Sequence, residues 1–277
     1  MQEVQDFVRL YDRDRYLASL FAPEGKRGHL LALYAFHAEI ARIPSLVSEP
    51  QLAEIRLQWW LDTLEGIYAG EVQAHPTAQA LAEAIKVGDI PKFALVNMAK
   101  AHQLDFYSDA IPSLNDLEGY LGETSGALIR LGAMILDQQA AQACGEAAGL
   151  AGVAYGLALV VARLPQAIAM QRQFIPMDIL ARHGLTLDSL TAASDVAMVS
   201  GVIGDLCDQA EKRLAELHLV SGAIAPIVAP AFLHAVLAKS YLGKARKKGA
   251  SVLLEGAELS QFRKQWVLWR AARGPLF

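Results

Sequence analysis

Three sets of carboxylates stand at the spacing that brings acids onto one helical face: Asp62 with Glu65, Asp105 with Asp109, and Asp205 with Asp208 and Glu211. Acids at i and i+3 or i+4 can hold Mg²⁺ against a substrate phosphate, so each set is a candidate for metal-assisted phosphate chemistry. None is repeated densely enough to form a strong motif, and Asp62/Glu65 and Asp205/Asp208 read first as solvated helix faces. Asp105 differs, because it follows Phe93, Val96, Met98 and Leu104 in an otherwise apolar stretch and is placed to point inward. Other familiar machinery is missing: there is no GxxxxGK[ST] phosphate loop, no HExxH, no GxSxG and no CxxC. His37 and Glu39 fall on different helix faces, so they are a poor metal pair. Trp59-Trp60 reads as helix-contact material. Arg172, after the apolar run 151–170, either clamps a phosphate or caps a helix end.

The scaffold that positions these side chains is all-α. Alanine and leucine dominate, and apolar residues recur at helical spacing, as in Leu52, Ile55, Trp59, Trp60, Leu64 and Ile67. Proline and glycine punctuate the chain: Pro23 and Gly25 separate the first helices, Pro44 and Pro50 bracket a loop, and Pro76, Pro91 and Pro112 fall where helices begin. Ser113 with Asp116 forms a capping box for a helix running to about Leu136. No repeat or flexible linker interrupts this pattern, so residues 1–277 read as a single domain of roughly ten helices.

With 53% hydrophobic residues the chain can bury a substantial core. A net charge of -4 excludes a general attraction to nucleic acid. Cys144 and Cys207 form neither a zinc spacing nor a disulfide framework, and the first residues have no signal-peptide pattern, so a cytoplasmic location is expected. Charge is uneven, however: residues 239–277 carry nine basic side chains against Glu255 and Glu258, a local +7 on a body of -11. Such an end suits docking on an acidic partner or on anionic lipid, the latter as peripheral contact at the inner face of the inner membrane. Residues 147–162 and 217–238 contain no charged side chain; the first is too short to span a bilayer and the second is interrupted by Pro226 and Pro230, so both are expected to be buried in the protein.

The order of landmarks resembles the squalene/phytoene synthase family of head-to-head prenyl transferases. The matching pieces are Tyr16-Leu17-Ala18-Ser19-Leu20-Phe21, Arg27, Leu33-Tyr34-Ala35-Phe36, Asp105 fifteen positions before Tyr120, Ser125-Gly126, Gly156-Leu157-Ala158, and Arg172 with Phe174-Ile175-Pro176. The resemblance implies an isoprenoid-synthase-type helical bundle around a central apolar cavity. It also implies two Asp-rich helical motifs that hold Mg²⁺ and ionise allylic diphosphates. At the matching positions this chain has Ala41, Arg42 and Ser45, then Ala167, Met170 and Gln171. No small shift restores the acids, since residues 147–177 contain none and residues 25–48 contain only Glu39. Diphosphate leaves poorly unless cations neutralise its charge, so no catalytic residues, no metal and no cofactor are expected.

Ile55-Arg56-Leu57-Gln58-Trp59-Trp60, His75-Pro76 and Trp269-Arg270-Ala271-Ala272-Arg273-Gly274 resemble a degenerate branch of the family that includes the mitochondrial complex I assembly factor 6. That likeness implies a pseudoenzyme: an assembly or scaffold factor whose partner is a respiratory-complex subunit or another assembly protein. The cavity is expected to be lined by Arg42, Tyr120, Arg163 and Arg172, with Asp105 nearby and Glu39 as an ion-pair partner. Two alternatives stand beside this reading. One is an active prenyl transferase that uses Mg²⁺ at a different acidic site; the other is a protein that binds an isoprenoid or another apolar lipid without converting it.

Overall fold

The computed structural model describes residues 1–277 apart from 48, 108, 188 and 190–195. Among the described residues there are helices and connecting turns but no β-strand. Ten of these helices have ten residues or more: Gln2–Tyr11, Glu24–Ala41, Pro50–Ala69, Pro76–Gly88, Lys92–Ala101, Ala127–Leu136, Gly145–Ala162, Val196–Val220, Ala238–Lys248 and Gln261–Ala271. Their starts follow the expected punctuation. Pro23 and Pro91 occupy N-cap positions, Pro50 and Pro76 open their helices, and Ser113 accepts the N–H of Asp116 at 3.2 Å.

Four local expectations are corrected. The run after Ser113 is a helix Leu114–Leu121, a π-helical turn Gly122–Gly126 and a second helix Ala127–Leu136. Such turns widen a helix locally and often sit at functional sites. The apolar run 151–170 is likewise divided at Arg163 into Gly145–Ala162 and Leu164–Ala169. Pro165 is the cause, since it has no N–H for the carbonyl four residues back and its ring crowds that position. Asp105 and Asp109 do not share a helical face, because Asp105 lies in a 3₁₀ turn, His102–Phe106, that ends in extended backbone at Tyr107. Between Pro44 and Pro50 the chain is not all loop, since Ile43–Leu46 forms one helical turn.

Two helices organise the interior. Glu24–Ala41 packs against Gln2–Tyr11, Pro76–Gly88 and Ala127–Leu136, while Gly145–Ala162 packs against Val196–Val220, Ala238–Lys248 and Ala127–Leu136. Tyr34, Phe36, Tyr155 and Leu157 are fully buried on them, and each large apolar side chain so buried contributes about 1.5–3 kcal/mol. Gly145–Ala162 is apolar and long enough to approach a membrane span by composition, yet 67% of it is buried inside the protein. It is therefore a core helix. The 217–238 segment also stays with the protein: its helix ends at Val220, Pro230 opens the short helix Ala229–Phe232, and Phe232, Leu233 and Leu237 are buried.

Candidate functional site

The C-terminal halves of the two central helices face one another across a cavity of about 510 Å³. One wall carries His37, Ala38, Ala41, Arg42 and Ser45; the opposite wall carries Gly156, Leu159, Val160, Arg163, Ala167 and Met170. These positions recur every three or four residues, so each helix or helix extension turns one face to the hollow. Tyr120, Leu121, Thr124 and Ser125 close a third side, where the π turn lies, and His102, Asp105, Arg172 and Phe174 complete the lining. Arg172 reaches it because the Leu164–Ala169 helix ends at Gln171, which takes a left-handed conformation with φ 54° while the N–H of Arg172 returns to the carbonyl of Ala167 at 2.8 Å.

Most candidate residues therefore meet at one place: Arg42, Tyr120, Arg163, Arg172 and Asp105 all face the cavity. Ala41, Ser45, Ala167 and Met170 face it too, from opposite walls. Two residues do not. Gln171 lines an adjoining hollow with Asp109, and Glu39 lies off the cavity wall. Glu39 also makes no ion pair with Arg42 among the described residues; Arg42 instead stacks over the rings of Tyr11 at 4.1 Å and Phe7 at 5.3 Å. Burial pushes the Glu39 carboxyl up, against the pull of Arg42 and Arg56.

Two carboxylates on the cavity wall are already engaged. Asp105 is buried; it contacts His102 Nδ1 at 2.7 Å and accepts the Tyr120 hydroxyl at 2.9 Å. Burial and the Asp105 charge push the Tyr120 phenol well above its ordinary value, so it stays a donor. Asp12, which the sequence did not single out, caps the helix Arg13–Ser19 and accepts Arg15 Nη1 at 2.7 Å. Burial works against the Arg15 charge, but Asp12 reverses the balance and holds the guanidinium protonated. Arg163 donates Nε to Glu258 at 2.7 Å.

The other acidic sets are occupied at the surface. Asp62 accepts from Gln58, Glu65 pairs with Lys92, Asp205 meets Arg182 and His183, and Arg246 spans Asp208 and Glu211. Among the described residues no group of three or more His, Cys, Asp or Glu side chains is placed to hold a metal ion. The residues present thus do not fit the Mg²⁺ that the fold family implies: the facing positions offer methyl, hydroxyl, thioether and guanidinium groups in place of carboxylates.

A layer of histidines lies at and behind the cavity wall, of which the sequence singled out only His37, and that as half of a poor metal pair. His37 and His102 rings are 5.2 Å apart, and His234, fully buried against Tyr155, has no hydrogen-bond partner on either ring nitrogen. Burial and the Arg15 charge hold His37 and His234 well below the usual imidazole range, hence neutral. An unfolded histidine titrates near pH 6.5, so below that pH the unfolded chain binds protons the folded one refuses. Stability therefore falls as pH drops through 6.5, by up to about 1.4 kcal/mol per pH unit for His234. His234→Leu should flatten the pH dependence of the urea midpoint between pH 7 and 5.5, and an unchanged profile contradicts the assignment.

These features define a class: an all-α isoprenoid-synthase-type bundle whose cavity keeps apolar walls and arginines but has no opposed acids. The chain belongs to the squalene/phytoene synthase family, which it matches over residues 8–270. Solved structures share the fold. A dehydrosqualene synthase in complex with ligand superposes with a TM-score of 0.84, covering 98% of this chain and 95% of that one at 18% identity. Squalene synthase HpnC from Alicyclobacillus acidocaldarius superposes at 0.76, covering 90% and 93% at 21% identity. In sequence, the chain is similar to NADH dehydrogenase (ubiquinone) complex I, assembly factor 6 of Bos taurus, 29% identical over 239 residues, which are 86% of this chain and 72% of that protein.

Proposed function

We propose that this protein is a non-catalytic assembly or scaffold factor for the respiratory NADH dehydrogenase, working without metal or cofactor at the cytoplasmic face of the inner membrane. The observation that carries the reading is the pair of facing walls with Ala41, Arg42, Ser45, Ala167 and Met170 where ionisation of a diphosphate needs metal-binding acids. The relatives named for assembly of complex I support the partner, a respiratory-complex subunit or fellow assembly protein.

The membrane side of the proposal rests on the C-terminal helix. Of the nine cations of residues 239–277, Arg246, Lys248 and Lys264 are ion-paired and Lys244 donates to the carbonyl of Glu258, so the segment is less free than its formal charge. Arg263, Arg270 and Arg273 have no carboxylate partner among the described residues, and they flank exposed Phe262, Trp266 and Trp269. Aromatic rings with arginines suit the interface of an anionic membrane, where each cation is worth about 1 kcal/mol.

Deletion of the gene should lower membrane NADH dehydrogenase activity while hopanoid and carotenoid content stays normal. The reverse pattern, or metal-dependent diphosphate release from farnesyl diphosphate by the purified protein, supports the enzyme and rejects this reading. Complementation with R263Q/R270Q/R273Q tests the surface. Three lost cations correspond to roughly 100-fold weaker partitioning, so the variant should move to the soluble fraction. Undiminished membrane association rejects the surface while leaving the assembly role standing.

A further inference from the structure

We infer that a second hollow, beside the C-terminal helix, is an acyl-chain site: it takes one hydrocarbon chain of an anionic phospholipid while arginines of that helix hold the head group. The site presupposes the membrane-facing reading of Gln261–Ala271, and it shares no lining residue with the central cavity.

Much of its wall comes from the charge-free run 217–238. The helix Val196–Val220 gives way to a 3₁₀ turn, Ser221–Ala223, and Pro226 and Pro230 keep a long helix from resuming, so that only the short turn Ala229–Phe232 follows. The chain bends there around a hollow of about 500 Å³, lined by Ile224, Pro226 and Leu233 from this run and by Ala271, Leu276 and Phe277 from the last helix and the residues after it. None of the lining residues has a charged side chain, and the one hydroxyl, that of Ser221, already donates to the carbonyl of His218 at 2.8 Å. An ionic ligand finds no side-chain partner in such walls, whereas hydrocarbon gains about fourfold in affinity for each methylene buried. The volume is well above the ~150 Å³ that holds a benzene ring in an apolar cavity, so it admits a chain and not merely a methyl group.

The rim decides what that chain is attached to. Arg270 and Arg273 adjoin the lining residues Ala271, Ala272 and Gly274, one Cα spacing of about 3.8 Å away, and neither has a carboxylate within 4.0 Å among the described residues. Arg273 lies over the Trp269 ring at 4.0 Å, and Trp269 stacks on Trp266 at 5.3 Å. Phe262, Trp266, Trp269 and Arg273 recur at helical spacing, on the face turned away from the buried Lys264 and Leu268. Phe21, which lines the hollow, is exposed too, as are Leu20, Leu219 and Ile227 close to lining residues in the chain. Apolar surface edged by cations suits the boundary between head groups and acyl chains. A protein helix laid on this face meets the aromatics and arginines but leaves the charge-free hollow without an occupant. An anionic phospholipid matches both.

Gly222 and Gly274 make this testable. Both line the hollow, neither has a left-handed backbone, and a Cβ on either meets no atom within 4 Å, so leucine there fills the space without strain. The intact chain is mixed with vesicles of phosphatidylcholine and phosphatidylglycerol in which some phosphatidylglycerol carries a diazirine in the middle of one acyl chain; after irradiation the cross-linked peptides are mapped. Cross-links should fall on residues 221–233 and 271–277. Gly222→Leu and Gly274→Leu should each reduce them at least fivefold and weaken vesicle partitioning about tenfold, the loss of roughly two buried methylenes, with the urea midpoint unchanged. Cross-links confined to residues 262–270, with partitioning unaltered in both variants, overturn the pocket and leave the membrane surface standing. Equal cross-linking from a phosphatidylcholine diazirine probe overturns the choice of an anionic head group and with it the inference. If Gly222→Leu binds vesicles normally but fails to rescue the deletion, the hollow belongs to a protein segment and the lipid is rejected. Wild-type protein that does not partition onto these vesicles at all overturns the pocket and the membrane surface together.

Discussion

Replacing Asp14 with leucine should destabilise the protein by about 4 kcal/mol, a Tm lower by roughly 10 °C. The carboxylate is 1% exposed and lies 2.8 Å from Lys264 Nζ, which is itself buried. Its second oxygen accepts the hydroxyls of Tyr155 at 2.9 Å and Tyr241 at 2.7 Å. Burial and the charge of Asp14 push both phenols up, so both remain donors. One carboxylate thus ties together four helices: Arg13–Ser19, Gly145–Ala162, Ala238–Lys248 and Gln261–Ala271. Removing it alone leaves the Tyr155 hydroxyl without its partner and an ammonium whose remaining acid is the half-buried Glu258 at 3.2 Å, and that poorly compensated burial is the source of the cost.

The double variant Asp14→Leu/Lys264→Met separates this explanation from simple loss of packing. A buried ion pair exchanged for apolar groups of similar volume is often close to neutral, so the double variant should recover most of the loss. Stability is measured by urea unfolding and compared as a double-mutant cycle. If the double variant is as unstable as Asp14→Leu, the ammonium was never the problem. If Asp14→Leu costs under about 1 kcal/mol, the cluster does not hold the C-terminal helix.

That cluster also shows where the sequence stops being informative. Helix starts were legible because their signals are local: Pro76 and Ser113 act within a turn of themselves. The carboxylate-free walls were legible for a related reason, since Ala41, Arg42, Ser45, Ala167 and Met170 sit at helical spacing from recognisable landmarks. Asp14 and Tyr241 are 227 positions apart, and nothing in either neighbourhood announces the other. Gln261–Ala271 was harder still, because its pattern is inverted. Lys264 and Leu268 face inward while Phe262, Trp266 and Trp269 are exposed, so a reading by hydrophobicity turns the helix the wrong way. Asp12 and Arg15 escaped notice as two more charges in a charged segment, although their spacing of three, beside Leu17 and Ala18 of the core, was an available signal. The histidine layer had none, being assembled from three separate elements.

The contrast between two glycines of the core helix gives the second large effect. Gly152→Ala should cost more than about 3 kcal/mol, whereas Gly156→Ala, one turn further on, should change stability by less than about 1 kcal/mol. Both substitutions gain the helix propensity of alanine, worth about 1 kcal/mol, and neither site has a left-handed backbone. The neighbours make the difference. A methyl group on Gly152 would lie 2.2 Å from the backbone nitrogen of Gly126 and 2.3 Å from its Cα, so the Gly145–Ala162 helix and the π turn would have to separate. On Gly156 the obstacle is the end of the Leu121 side chain at 2.6 Å, which can rotate away. Separating helix from turn moves Leu121, Thr124 and Ser125, which close one side of the cavity, so the cost of Gly152→Ala extends from the core to the site. Rotating Leu121 only narrows that side. Urea midpoints of the two variants decide the matter: comparable stabilities would mean that the backbone contact at Gly126 is not what fixes the third wall.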